Sequence, residues 1–191
     1  DKCPAIRQYS CGCMGAGARQ AIFSQIAPLA AAQLARLLQK HGERHRRRRA
    51  ANSEAKQVAL GVDACIRALG QVCEHQEQHI GGDSAAAWKL WLSSLPMRYD
   101  MEEGHKAHRQ LLELVVKGHP VITAPEQLPK TLAVFADIYR TKFSDAVLDK
   151  ELAIAVVRAG TEFVQSYAGG LPERQQKKVE QMVKDGQAAA A

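Results

Sequence analysis

Aromatic side chains are scarce in this 191-residue chain, 5% in all, and consecutive β-branched residues hardly occur outside Val121-Ile122-Thr123. Sheets need both residue types to fill their pleated faces, so the shortage excludes a large sheet and leaves helices. No apolar run approaches the roughly 18 residues that a membrane-spanning helix needs. The opening Asp1-Lys2-Cys3-Pro4 lacks the apolar core of a signal peptide. A soluble chain without a secretory address or a membrane partner is expected. Catalytic signatures are missing as well: there is no Gly-Lys-Ser/Thr phosphate loop and no Gly-x-Ser-x-Gly elbow. Gly15-Ala16-Gly17-Ala18-Arg19-Gln20 begins like a dinucleotide fingerprint. It ends in glutamine and follows no strand, so it forms no pyrophosphate cradle. The sequence predicts neither an enzyme nor a cofactor.

Metal chemistry is expected to be absent too. Cys3, Cys11, Cys13, Cys65 and Cys73 are an odd set, mostly at small or apolar positions of helical patterns. Reduced thiols of a cytosolic or nuclear protein fit this better than a secreted disulfide framework. Cys11-Gly12-Cys13 with Cys3 has no second ligand pair at finger spacing, and residues two apart on a helix point to different faces, so packing thiols are expected. His75 and His79 lie one turn apart, and His105 and His108 nearly so. Yet His75-Gln76-Glu77-Gln78-His79 lacks the glutamate directly after the first histidine that a metalloprotease helix uses as base. Polar helix ends account for both pairs.

What the chain does have is helical periodicity. Hydrophobic residues make up 46% and charged residues 24%, enough apolar surface to bury a core. Ile22, Ile26, Leu29, Leu34, Leu37 and Leu38 recur at spacings of three to five, and Val58, Val62, Cys65, Ile66, Leu69 and Val72 follow as a second series. Trp88, Trp91, Leu92 and Leu95 predict a third helix, with the two tryptophans as core anchors. Leu111, Leu112, Val115 and Val116 predict a fourth. Leu132, Phe135, Ile138 and Tyr139 predict a fifth, and Leu148, Leu152, Val156, Phe163 and Tyr167 a long sixth. Gly42, Gly81-Gly82, Pro96, Gly118-His119-Pro120 and Gly169-Gly170 punctuate the series. Asn52 or Ser53, Asp83 or Ser84, and Ser144 or Asp145 are the predicted N-caps. Pro129 fits the first turn of its helix, where a missing N–H costs nothing.

The formal charge is +6, but it is local. Without Arg44, Arg46, Arg47, Arg48 and Arg49 the chain has 21 basic and 20 acidic residues. Three readings of this run, within a basic inter-helical loop at 44–51, stand side by side. It is a solvated loop that tolerates like charge, a contact for an acidic partner or RNA, or a nuclear localisation signal. No stacking aromatics are interleaved with the arginines, which argues against nucleic acid.

The helices also repeat. If Asp1, Asn52, Glu102 and Asp145 each open the second helix of a pair, the separations are 51, 50 and 43 residues, against about 40–47 for HEAT-type units. An all-α, right-handed solenoid of HEAT repeats is the fold expected, with residues 1–187 as one segment of about three and a half repeats that begins mid-repeat. The small residues Ser10-Cys11-Gly12-Cys13-Met14-Gly15-Ala16-Gly17-Ala18 let a neighbour approach closely, although the glycines favour fraying of that end. Arg174 to Lys184 predicts a polar capping helix with Val179, Met182 and Val183 on its apolar face, and 188–191 an alanine tail without information.

Certain words of the sequence are more specific than its period. Asp1-Lys2-x-Pro4-x-Ile6-Arg7-Gln8, Trp91-Leu92-Ser93-Ser94-Leu95-Pro96, Gly118-His119-Pro120-Val121-Ile122, Leu128-Pro129-Lys130 with Phe135-Ala136, and Leu171-Pro172-Glu173-Arg174-Gln175-Gln176 follow one another in order. In these the chain resembles the C-terminal HEAT repeats of the importin-β superfamily of nuclear transport receptors (karyopherins-β), most of all the karyopherin beta-3 branch that contains importin five. The resemblance implies a segment of a nuclear import receptor that binds cargo with basic signals, passes nuclear pores through nucleoporins, and releases cargo to Ran-GTP. It also implies a main Ran site outside this segment and residence in cytoplasm, nucleus and nuclear pore. Cargo contacts would fall on the concave second helices, with Glu54, Asp63, Glu102, Glu103, Asp149 and Lys150 as candidates. Two features depart from the family: its receptors are usually acidic overall, and Glu126-Gln127 stands where asparagines usually precede Leu-Pro-Lys. A rival class with the same helices is a HEAT scaffold that organises a multiprotein complex and ignores Ran. A second rival is a helical RNA-binding protein that uses its basic loop.

Overall fold

In the computed structural model, which describes residues 3–47, 52–82 and 84–190, nine α-helices follow one another. They are α1 (Pro4–Gly17), α2 (Ala27–Arg47), α3 (Ser53–Ile80), α4 (Ser84–Ser94), α5 (Met101–Val116), α6 (Leu128–Ile138), α7 (Ala146–Arg158), α8 (Thr161–Ala168) and α9 (Glu173–Ala190). No strand occurs among the described residues, so the chain is all-α. Contacts divide it into two units, residues 1–107 and 108–191.

In the first unit α3 is the centre. It packs on α1, α2 and α4, and α2 also packs on α4. Asn52 starts α3 as predicted, its side-chain oxygen accepting from the Ala55 N–H at 2.8 Å. Small residues set the fit of α1 on α3. A Cβ added at Gly15 would lie 3.2 Å from the Ala68 Cα, a tight contact that glycine relieves, and 2.3 Å from the Gln71 Oε1, the end of a side chain that can turn aside. The kink in α3 falls at Gln76 (φ −130°, ψ 18°). Its buried side chain donates to the Ala18 carbonyl at 2.6 Å and to that of Gln20 at 3.2 Å. Gln76 thereby supplies a partner to carbonyls just past the end of α1.

Three expectations for this unit need correction. Ile22, Ile26 and Leu29 do not continue the apolar face of Leu34 and Leu38, since they are 74%, 51% and 62% exposed. Residues 21–25 form a separate 3₁₀ turn, and α2 restarts at Ala27. Pro28 explains the restart, because it lacks an N–H and fits only a first turn. Gly42 does not end α2, which runs on to Arg47. Arg44, Arg46 and Arg47 are therefore helical, not part of a loop. Arg48, Arg49 and residues 50–51 of the predicted basic loop lie outside the described residues, as does the candidate cap Asp83.

In the second unit α9 packs on α6, α7 and α8, and α8 also packs on α6 and α7. Asp145 caps α7, accepting from the Leu148 N–H at 2.7 Å, and Pro129 stands in the first turn of α6. The long sixth helix expected from Leu148 to Tyr167 is two helices. Gly160, at φ +94°, separates α7 from α8 in a conformation that side chains rarely adopt. Residues 188–190 of the expected uninformative tail are likewise helical, Ala191 lying outside the described residues: α9 extends to Ala190, and Gly186 is buried within it. A Cβ at Gly186 would lie 2.3 Å from the Ala153 carbonyl oxygen, so this glycine sets how closely α9 lies on α7.

Candidate functional site

Of the four residues expected to open second helices, Asn52, Glu102 and Asp145 stand beside observed starts, and Asp1 lies outside the described residues. α1, α3, α5 and α7 begin at Pro4, Ser53, Met101 and Ala146. Five of the six candidate contact residues stand in or beside the first turns of these helices, Glu54 on α3, Glu102 and Glu103 on α5, and Asp149 with Lys150 on α7. Acidic side chains are favoured there by the positive end of the helix dipole, whatever else they touch. Glu54, Glu102 and Lys150 are exposed. Lys106 reaches back to Glu102 at 2.8 Å and Glu103 at 2.7 Å. Those bonds lower the Glu102 carboxyl and raise the Lys106 ammonium from their usual ranges. Asp149 accepts from the Arg140 N–H at 2.8 Å.

Asp63 belongs elsewhere. It is 0% exposed, and one carboxylate oxygen accepts from the N–H groups of Arg98 at 3.3 Å, Tyr99 at 2.7 Å and Asp100 at 2.8 Å. It anchors the connection from α4 to α5 and does not face a partner.

Two arginines that sequence reasoning passed over link one helix to another. Arg67 of α3 meets Glu103 of α5 at 3.3 Å. Arg109 of α5 meets Glu151 of α7 at 2.8 Å and Asp145 at 3.7 Å. Burial pulls the Arg67 guanidinium below its ordinary pKa, with Glu103 opposing the shift. Arg109 is more exposed, which makes its pairs weaker in stability and more useful as register marks. The missed signal was spacing, since Arg67 and Arg109 follow the expected helix starts Asn52 and Glu102 by 15 and 7 residues, too uneven to show as a repeat.

The thiols and histidines divide by burial. Cys11, Cys65 and Cys73 are buried and free, whereas Cys3 and Cys13 are exposed and so do not pack as expected. Burial raises Cys73 to about 12, and hydrogen bonding with Cys11 followed by burial holds Cys65 far above a reactive range. His108 is not a polar helix end: it is fully buried, 3.1 Å from the Phe143 carbonyl through Nδ1. Among the described residues no group of three or more His, Cys, Asp or Glu is placed to hold a metal ion. No helix among them is long and apolar enough to cross a membrane. Trp88 and Trp91 form a buried T-shaped pair with centroids 5.4 Å apart, and Trp88 donates to Glu77 at 3.0 Å. They are core anchors.

A groove of about 630 Å³ lies between α5 and α7. It is lined by the apolar Leu112, Val116, Ile154 and Ala155 and by the charged Arg109, Glu113, Lys117, Glu151 and Arg158. None of the six candidate contact residues lines it. Compared with protein-family models, the chain matches none. Five of the candidate residues stand at three separate helix starts, Glu54 on α3, Glu102 and Glu103 on α5, and Asp149 and Lys150 on α7.

Proposed function

We propose that the chain is a run of HEAT-type repeats from a nuclear import receptor of the importin-β kind, serving as a cargo-contacting scaffold. The observation that carries this reading is the pair of inter-helix arginine links. Arg67 to Glu103 and Arg109 to Glu151 each tie one second helix to the next. Packing supports it, because most helix contacts join elements one or two positions apart, such as α1 with α3 and α7 with α9. Stacked repeats pack chiefly on their neighbours, although α6 also packs on α9, three positions along. The right-handed superhelix is part of the proposal.

In this reading α2, α4, α6 and α8 are first helices, and α1, α3, α5, α7 and α9 are second helices. Exposed carboxylates at the starts of α3 and α5, chiefly Glu54 and Glu102, attract basic signals on cargo. Ran-GTP acts through repeats elsewhere in the parent receptor. The receptor moves between cytoplasm and nucleus and meets nucleoporins on the way.

The test immobilises the full-length parent receptor, loads it with cytosolic proteins and compares elution by Ran-GTP with elution by Ran-GDP. Release by the GTP form alone is expected. Equal indifference to both forms would remove the transport function and leave a static helical scaffold.

A further inference from the structure

Basic side chains from two elements of the second unit converge on one open depression. Arg174, Lys177, Lys178 and Gln181 are spaced at i, i+3, i+4 and i+7 on α9, so they share a face. Arg140 reaches the same place from the turn after α6, and these five residues with Glu173 line a volume of about 550 Å³. Arg140 is held firmly. Its backbone has φ +52°, its N–H donates to Asp149 at 2.8 Å, and its guanidinium pairs with Asp185 at 2.9 Å. Lys178 donates to the Tyr139 carbonyl at 3.0 Å. Arg140 and Lys178 stand 5.5 and 5.9 Å from the Tyr139 ring centroid, so the phenol supports both cations.

The charge here is only partly answered. Asp185 meets Arg140, and Glu173 meets Lys177 at 2.7 Å in an exposed pair of the kind that exchanges readily. Among the described residues no carboxylate pairs with Arg174 or Lys178. Four residues along a helix separate these two cations by about 6 Å, close to the roughly 7 Å between alternate side chains of an extended peptide. We propose that this depression binds an acidic stretch of a partner protein, extended along α9, with Asp or Glu at alternate positions meeting Arg174 and Lys178. The depression is wide for a lone phosphate. No aromatic is among its lining residues, and the nearby Tyr139 is buried, so it offers no face on which a nucleic-acid base could stack.

The experiment measures fluorescence anisotropy of a labelled peptide alternating Glu and Ser, titrated with the full chain at low salt. Comparators are the same peptide with Gln for Glu, a peptide whose only negative charge is phosphoserine, and oligouridine. Arg174→Glu with Lys177→Glu alters exposed positions and leaves the anchored Arg140 and Lys178 in place, with circular dichroism as the check on folding. Arg46→Glu with Arg47→Glu tests the other basic segment. The expected result is binding of the Glu peptide, weakened at least about tenfold by the α9 pair and changed less than about twofold by the α2 pair. The proposal is overturned if the Glu peptide does not bind, if its loss follows Arg46 and Arg47, or if phosphoserine or oligouridine binds and the Glu peptide does not. The Ran experiment does not bear on this outcome.

Discussion

Asp63 carries more of the first unit's local order than any exposed acidic residue. Three amide donors depend on one carboxylate oxygen inside the protein, and stranding them exposes the full cost of unpaired buried donors. Asp63→Ala is expected to lower stability by about 3 kcal/mol, a fall in Tm of roughly 6–12 °C for a chain of this length. Thermal denaturation followed by circular dichroism checks this, and a fall below about 2 °C would contradict the anchoring role. The second unit has a titratable counterpart. The Tyr139 hydroxyl donates to Asp185, which lowers the Asp185 carboxyl, while burial and that bond raise the Tyr139 phenol to about 12. A lowered folded carboxyl gives stability present above the usual carboxylate range and lost as pH falls through the folded value. A raised folded phenol gives stability present below about pH 10 and lost as pH rises towards the folded value. Urea denaturation across pH is expected to weaken at both ends for the natural chain, and Tyr139→Phe to flatten the alkaline end. An unchanged alkaline slope in that variant would refute the assignment.

Helices are ended and packed by glycine in ways that only the surroundings distinguish. Gly12 and Gly186 are both helical, and by propensity alone alanine is favoured at each by about 0.5–1 kcal/mol. At Gly12 an added Cβ meets nothing within 4 Å, so Gly12→Ala is expected to stabilise by that amount. At Gly186 it meets the Ala153 carbonyl oxygen at 2.3 Å, and Gly186→Ala is expected to destabilise by about 1–3 kcal/mol as α9 is pushed from α7. Chemical denaturation of the two variants reads the opposite signs directly, and the same sign for both would refute this packing of α9. Caps were legible in the sequence because Asn52 and Asp145 act on amides three residues away. The division of α7 from α8 was hidden, because Gly160 lies within an otherwise continuous apolar pattern and one glycine in a helix is commonly tolerated.

In the first unit α3 packs on three other helices, and in the second both α8 and α9 do, α9 far more extensively through its long contact with α7. Local opening is costliest where most neighbours must part, so hydrogen exchange is expected to be slowest in the middle of α3 and in the Val179–Met182 stretch of α9. The eight-residue α8, which begins after Gly160 without a side-chain cap, is expected to exchange fastest among the helices of its unit. Mass spectrometry of exchanged peptides tests this order, and an α8 protected as well as α9 would refute it. The second-helix starts behind the repeat reading were legible from Asn52, Glu102 and Asp145, each within one residue of an observed start. The arginine links were not, because Arg67 and Arg109 find their carboxylates 36 to 42 residues along the chain. The basic convergence on α9 was hidden for the same reason, since Arg140 joins that stripe only in three dimensions.

By itself the sequence determined the all-α class, the positions of most helix starts, the two local caps and the first-turn place of Pro129. Each of these depends on side-chain volume, backbone donors and amides within one or two turns. Only the tertiary structure decided which apolar residues were covered, leaving Ile22, Ile26 and Leu29 in solvent while Leu34 and Leu38 were buried. It also turned Asp63 from a candidate contact into a buried anchor and made Gly186 a contact point between helices. Those outcomes depend on atoms brought together from dozens of residues away, and helical periodicity records which side chains share a face but not what lies against that face.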